Sequence, residues 1–304
     1  MTAVDDVSAV VLETTSDRVR AGFAGSACPS CVRLLPELTT GSESLASIQD
    51  AWRESLVSIF GAGEAMSEDN RPAESESLGS ERTPLLLVEP AQPWEQETRQ
   101  ELVRFAFETL HVPAVYLMRS AVATTFAWAR KTALVLHIDR VGAVAAPVLE
   151  GYLLLNCLRS DPLVGLPWPQ RDSSTAEMTR LPLKKVEAKL FPRLTRLVFD
   201  AIMAADIDVR RELFYNVIVT GDGLSQLEEQ ALVQRLDETL GEVCPHLFRP
   251  RVVNASNEQL FHPGVSAAWV GASLCGTLGV FHQLWVSRSD WEASPPSILE
   301  DRCP

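Results

Sequence analysis

Short apolar runs closed by polar turns alternate along the chain with longer stretches whose apolar residues recur every three or four positions. These are the two periods that separate strands from helices. Residues 9–12, 19–23 and 32–35 predict three short strands, and residues 47–60 predict a helix entered through Ser47. The unbroken run 85–88 predicts a buried strand, followed by a helix over 95–110 with Leu102, Phe105, Ala106 and Thr109 on one face. A strand at 115–118, a helix at 121–130 and a strand at 133–138 come next. Beyond Pro192, placed as a first helical residue, Leu194, Leu197, Val198, Ala201, Ile202 and Ala205 fall on one helical stripe. A strand at 216–219 runs towards Gly221-Asp222-Gly223, and 227–243 predicts a helix. Alternating strands and helices of this kind predict an α/β protein.

The pattern contains a repeat. Residues 9–25, AVVLETTSDRVRAGFAG, and 133–151, ALVLHIDRVGAVAAPVLEG, each read as an apolar strand, a polar turn containing Asp-Arg-Val and a second strand. Two related hairpins predict two copies of one domain. Between residues 61 and 82 the periodicity stops: GAGEAMSEDNRPAESESLGSER is rich in Glu, Ser and Gly with almost nothing to bury, and reads as a solvated or disordered, flexible acidic loop.

Composition narrows the function classes. The chain has 304 residues, 46% of them hydrophobic, enough for one large core or two ordinary ones. Forty acidic against twenty-seven basic residues give a net charge of −13, which argues against a direct grip on nucleic acid and favours a basic partner or simple solubility. The opening MTAVDDVSAV lacks the layout of a secretory leader, and no apolar run approaches the ~20 residues that span a bilayer, so an intracellular site away from membranes is expected. The six cysteines, Cys28, Cys31, Cys157, Cys244, Cys275 and Cys303, are scattered and read as free thiols. Cys28-Pro-Ser-Cys31 has thioredoxin-like or half-zinc-site spacing but no second pair, and the five histidines fall in no ligand pattern, so incidental thiols are expected here and no redox or metal site.

Several blocks carry a resemblance. Val19-Arg20-Ala21-Gly22-Phe23-Ala24-Gly25, Glu108-Thr109 through Val112-Pro113-Ala114, the stretch PVLEGY at 147–152, Asp206-Ile207-Asp208-Val209-Arg210, and WVGAS at 269–273 with FHQLWVS at 281–287 resemble actin and the actin-related proteins, in the family's order. The resemblance implies the duplicated ribonuclease-H-like α/β fold shared with heat-shock chaperones and sugar kinases. It implies one half at 1–131, a second at 132–268, and carboxyl-terminal helices at 269–304 that return to the first. In that family ATP and its metal sit between two glycine-rich hairpin tips. Here the first tip is Glu13-Thr14-Thr15-Ser16-Asp17 and the second His137-Ile138-Asp139-Arg140-Val141. Both lack the glycines, the metal-orienting aspartates correspond to His137 and Arg140, and the water-positioning residues correspond to Ser120 and Val144. The resemblance therefore implies a degenerate ATP site at Ser16, Asp17, Asp139, Arg140, Gly221, Asp222 and Gly223, with no hydrolysis and no cofactor; the alternative is that Arg18 and Arg140 hold phosphates by charge. Gly22 and Gly25 are read as packing glycines of the strands. The outer subdomains, expected at 36–46 and 158–192, are reduced to short connectors.

A second implied site is the family's apolar groove, which takes partner helices and maps onto Phe126, Ala129, Gly151, Tyr152, Leu274, Cys275, Leu278, Val280 and Leu284. Among subfamilies the resemblance is strongest to the nuclear actin-related protein shared by histone-acetyltransferase and chromatin-remodelling complexes, on AQPW at 91–94, AADIDVR at 204–210 and DRCP at 301–304. It implies a nuclear, non-catalytic scaffold that pairs with actin or another actin-related protein and with a basic amphipathic helix of a larger subunit. The alternatives are a cytoplasmic, dynactin pointed-end type of actin-related protein, which Glu150-Gly151 and Leu155-Asn156-Cys157 favour, and a residual ATP-binding protein of the same fold.

Overall fold

The structure, a computed structural model, describes residues 9–35, 42–61, 82–139, 141–163, 183–221, 229–245, 248–254, 265–293 and 297–304. In chain order its strands are β1 (Val10–Thr14), β2 (Arg18–Phe23), β3 (Cys31–Leu34), β4 (Leu85–Val88), β5 (Ala114–Met118), β6 (Ala133–Ile138), β7 (Ala143–Leu149), β8 (Tyr152–Leu153), β9 (Arg159–Asp161), β10 (Val217–Thr220), β11 (Val252–Asn254) and β12 (Val286–Ser287). Its helices are α1 (Ser42–Gly61), α2 (Gln96–Glu108), α3 (Ser120–Ala127), α4 (Leu183–Ala204), α5 (Ile207–Tyr215), α6 (Glu229–Val243), α7 (Ala267–Gly276), α8 (Arg288–Ala293) and α9 (Ser297–Arg302).

The chain divides into two compact units, Met1–Ala123 with Trp269–Pro304, and Thr124–Ala268. In the first, strand order is β12-β5-β4-β1-β2-β3; in the second it is β11-β10-β6-β7-β8, with β9 also on β7. Both sheets follow one plan. The opening strand, β1 or β6, pairs antiparallel with the next strand on one side and parallel with a later one on the other. This is the duplicated ribonuclease-H-like α/β fold. The division between the units falls inside α3, after Ala123.

Each core follows from the runs that predicted it. All five residues of β1 and all four of β4 are buried, as strands covered on both faces must be. In the first unit Trp52 and Leu56 of α1, Leu102 and Phe107 of α2, and Trp291 and Leu299 of α8 and α9 close over that sheet. In the second, Leu194, Val198, Ala201 and Ile202 of α4 pack with Leu232, Leu236 and Leu240 of α6 against β6, β7 and β10. Removing a large buried side chain such as Trp52 costs about 3–5 kcal/mol.

Several expectations need correction. Pro192 lies inside α4, not at its start. Leu190 and Phe191 are buried on the stripe that continues to Leu194 and Val198, so packing holds the preceding turns although proline removes a helical N–H. Part of the stretch expected as a shortened connector, from Leu183 onwards, is therefore helix. Residue Ser42, not Ser47, opens α1. The loop expected at 61–82 lies outside the described residues apart from its two ends. Of the two early glycines, Gly22 does serve packing: a Cβ there would meet Ser30 N at 2.9 Å and the Trp269 ring at 3.1 Å. Gly25 instead occupies a turn at φ +84°, which glycine adopts without strain.

Candidate functional site

The two hairpin turns are the first candidate. In the first unit β1 and β2 meet through Thr15-Ser16-Asp17, with Thr15 N donating to Arg18 O at 2.9 Å. Arg18 donates from Nε to Asp17 Oδ1 at 2.8 Å and from Nη2 to Oδ2 at 2.9 Å, a two-pronged pair between neighbours. The Asp17 carbonyl accepts from Leu35 N at 2.8 Å, which ties the turn to the end of β3. Beneath it, cross-strand neighbours Glu13 and Arg20 form a buried ion pair at 3.1 Å, and Trp52 Nε1 donates to Thr14 Oγ1 at 3.0 Å.

In the second unit the turn between β6 and β7 closes by Asp139 N donating to Gly142 O at 2.9 Å. The Asp139 carboxylate, 8% exposed, accepts from the backbone N–H of Val141 at 2.9 Å and of Gly142 at 3.2 Å. His137 Nε2 lies 3.5 Å from its other oxygen. Here the expectation of a glycine-free tip is corrected: Gly142 sits in the turn at φ +152°, where a Cβ would also meet Pro162 Cα at 2.9 Å. Gly221, after β10, lies where a Cβ would strike the Ile138 carbonyl. Arg140, Asp222 and Gly223 lie outside the described residues.

The described residues of these turns do not fit a nucleotide's phosphates. A phosphate cradle needs backbone N–H groups turned towards the anion. At the second turn two amides already donate to Asp139, and a phosphate would have to displace a carboxylate of its own sign. At the first, Arg18 is joined to Asp17 by both prongs. Ser16, half-buried, adds no cation. Among the described residues, no three His, Cys, Asp or Glu side chains converge as a metal set.

The second candidate is apolar. In the first unit, α7 and the helical turn at 281–284 leave Leu274, Leu278, Val280 and Leu284 exposed, Leu278 at 51% and Val280 at 73%. Backbone bonds from Thr277 N to Leu274 O, Leu278 N to Cys275 O and Phe281 N to Leu278 O fold the chain tightly through them. The segment is anchored: Ser273 Oγ donates to Ser26 O at 3.1 Å and accepts from Gly25 N at 2.9 Å, and Trp285 is buried. Cys275 is corrected out of this surface. A helical residue next to an outward Leu274 turns about 100° away; Cys275 is buried, and burial pushes its thiol up to about 11. In the second unit Tyr152 is 61% exposed, and Ala129 is exposed in a turn at φ +50°. Phe126 lies against Gly151, whose Cβ position is 3.3 Å from the ring.

Sequence reading missed a buried charge cluster in the first unit. Glu89, at the end of β4, accepts from Arg99 Nε at 3.0 Å and Arg119 Nη1 at 2.6 Å. Arg99 also donates to Cys303 O, and Arg119 Nε to Pro304 O at 3.4 Å. Burial pushes the Glu89 carboxyl up, and the two guanidinium groups oppose that shift. A charged residue directly after a fully apolar strand is the signal that could have found it, since such a carboxylate is buried only when paired.

Comparison with known proteins agrees with the fold. A family model described as Actin matches residues 64–167 and 170–304, well over half of the chain. An "Actin-related protein 4" of Arabidopsis thaliana is 22% identical, over 73% of this chain and 72% of that protein. One of Yarrowia lipolytica is 25% identical over 72% of each. One of Gibberella zeae is 33% identical over 36% of this chain and 22% of its own length.

Proposed function

The chain belongs to the actin family, and from that premise we propose that it is a non-catalytic actin-related protein, a scaffold subunit of a nuclear chromatin-remodelling or histone-acetyltransferase complex. One observation carries the reading: in the hairpin turns that would hold ATP, the Arg18 guanidinium and the Val141 and Gly142 amides are bonded within the turn, while large apolar side chains stay exposed on the α7 segment. Leu274, Leu278, Val280 and Leu284 take the apolar face of a partner's amphipathic helix. Tyr152 is the exposed anchor of the same kind in the second unit. Helix recognition of this type draws most of its affinity from a few buried apolar anchors. The net charge of −13 favours a helix rich in Lys and Arg, so binding weakens with salt. Actin or another actin-related protein is the second partner, as the family resemblance implies.

Affinity capture of the full chain from its own cells, read by mass spectrometry, tests the proposal. Actin or an actin-related protein together with remodeller or acetyltransferase subunits is the expected set. Dynein-complex subunits in their place would overturn the nuclear assignment. Calorimetry with ATP and magnesium is expected to give no binding at micromolar concentrations; metal-dependent micromolar affinity would overturn the non-catalytic reading.

A further inference from the structure

The second unit of this acidic chain carries a concentrated basic surface that neither the hairpin turns nor the apolar segments use. It forms where three parallel strands begin. Val217 of β10 is level with Leu134 of β6 and Val252 of β11, so the residues just before each strand come together. Before β6 stand Arg130 and Lys131; before β10, the end of α5 with Arg211, Tyr215 and Asn216; before β11, Arg249 and Arg251. Leu134 N donates to Asn216 O at 2.9 Å, Val217 N to Arg251 O at 3.1 Å and Arg251 N to Phe214 O at 3.0 Å, which lace the three segments together. Below them Phe248 stacks on Phe214 with ring centres 5.3 Å apart. The mounting is therefore rigid, and the side chains above it face water.

Tyr215 is 50% exposed and carries the Arg251 guanidinium over its ring at 5.8 Å. Arg211 lies one helical turn before Tyr215, on the same side of α5. Arg130 Nη1 donates to the Asn216 side-chain oxygen. Arg211, Arg249 and Arg251 are all exposed, and among the described residues none has a carboxylate within ion-pair distance. Lys131 is 3.7 Å from Glu150, and Glu212 follows Arg211 on α5, so the patch is bounded by acids. Unpaired arginines on a rigid base, with one aromatic ring between them, suit carboxylates, which guanidinium groups bind in a two-pronged way.

We propose that this surface binds a short acidic segment of a partner protein, carrying roughly two or three carboxylates that meet Arg211, Arg249 and Arg251 around Tyr215. Charge decides the class of partner. Surface charges act over about 8–10 Å in physiological salt. A short segment fits within that radius of the patch. Duplex nucleic acid, with a charge every ~1.7 Å, would run past it onto the rest of a chain whose net charge is −13. This surface is separate from the exposed α7 side chains, and the proposal stands or falls independently of them.

The test uses the full chain and two fluorescent probes, a twelve-residue peptide of alternating Glu and Ser and a twelve-base-pair DNA duplex, read by anisotropy. The acidic peptide should bind more tightly than the duplex and weaken as salt rises. Arg211→Glu with Arg251→Glu should reduce peptide affinity at least tenfold with an unchanged circular dichroism melt. Arg196→Glu, on the exposed face of α4, should leave it unaltered. Equal affinity in the double variant overturns the proposal. Preference for the duplex that disappears in the double variant overturns it in favour of a nucleic-acid surface. If the double variant melts early, Arg249→Gln with Arg251→Gln replaces it under the same criteria.

Discussion

The hairpin turns and the α7 segment treat their chemical groups in opposite ways. At the turns, the described groups that could meet a phosphate are bonded to neighbours one to three residues away: Asp17 holds the Arg18 guanidinium, and Asp139 holds the amides of Val141 and Gly142. On the α7 segment, Leu274, Leu278, Val280 and Leu284 stay exposed among the described residues. Polar groups satisfied locally stabilise the fold and have little left for a ligand. Large apolar side chains left in water gain only when something covers them. In the proposed reading the turns contribute stability and the apolar segment contributes recognition.

The largest expected effect tests what holds that segment's unit together. Glu89→Ala leaves Arg99 and Arg119 buried without their carboxylate and should destabilise the protein by about 3–5 kcal/mol. Thermal unfolding should fall steeply, with partner capture lost as a consequence. A melt within a few degrees of the original would mean that the cluster does not hold the unit together.

A smaller loss should follow at the second turn. Asp139→Ala orphans two backbone N–H groups, one of them buried, and should cost about 1–3 kcal/mol, while Asp139→Asn, which keeps an acceptor, should cost less. Neither change should create ATP binding in calorimetry. An ATP response in Asp139→Ala would show that the carboxylate had been blocking a competent cradle and would collapse the contrast between the two regions.

The pH dependence sharpens the same turn. Asp161 lies beside Gly142, and its hydrogen bond from Arg193 holds its carboxyl below the ordinary 3.8, helped by the Leu163 amide. A carboxyl lowered on folding contributes stability that is fully present above 3.8 and lost as pH falls through the lowered value. Asp161→Asn should therefore lower the melting temperature at pH 7 and flatten its decline as pH falls below 3.8. Parallel melting curves for the two proteins would remove the pair from the account.

The smallest effect concerns thiols. At pH 7.5 iodoacetamide should modify exposed Cys28 rapidly and buried Cys275 slowly, because burial both shields the latter and keeps it protonated, with its thiol pushed up to about 11. Rapid modification of Cys275 would return it to the surface beside Leu274.

Much of the fold was legible because it is written in periodicity. The repeat at 9–25 and 133–151 became two hairpins with equivalent places in two sheets, since unbroken apolar strands have few ways to be buried. Pro192 misled because a proline rule is local, whereas Leu190 and Phe191 hold their turns through contacts with a distant sheet. The missing glycines of the first tip were legible. The role of Gly142 was not, because it sits one residue past the quoted tip and is required by its close approach to Pro162. Exposure of Leu278 and Leu284 could not be read either, since a leucine in a short helical turn looks the same whether it faces a core or water. The Glu89 cluster and the arginines around Tyr215 join residues far apart in sequence, and only the strand register brings them together.

The most direct test of the central claim compares partner capture by Leu278→Asp and by Asp139→Asn, each as the full chain expressed at equal level, with mass spectrometry as the readout and thermal melts as the control. Loss of one central apolar anchor typically costs about 2 kcal/mol or more, some thirty-fold in affinity. Leu278→Asp should therefore lose its partners while melting normally, and Asp139→Asn should keep them. Undiminished capture by a folded Leu278→Asp protein, or loss of capture in Asp139→Asn alone, would contradict the account.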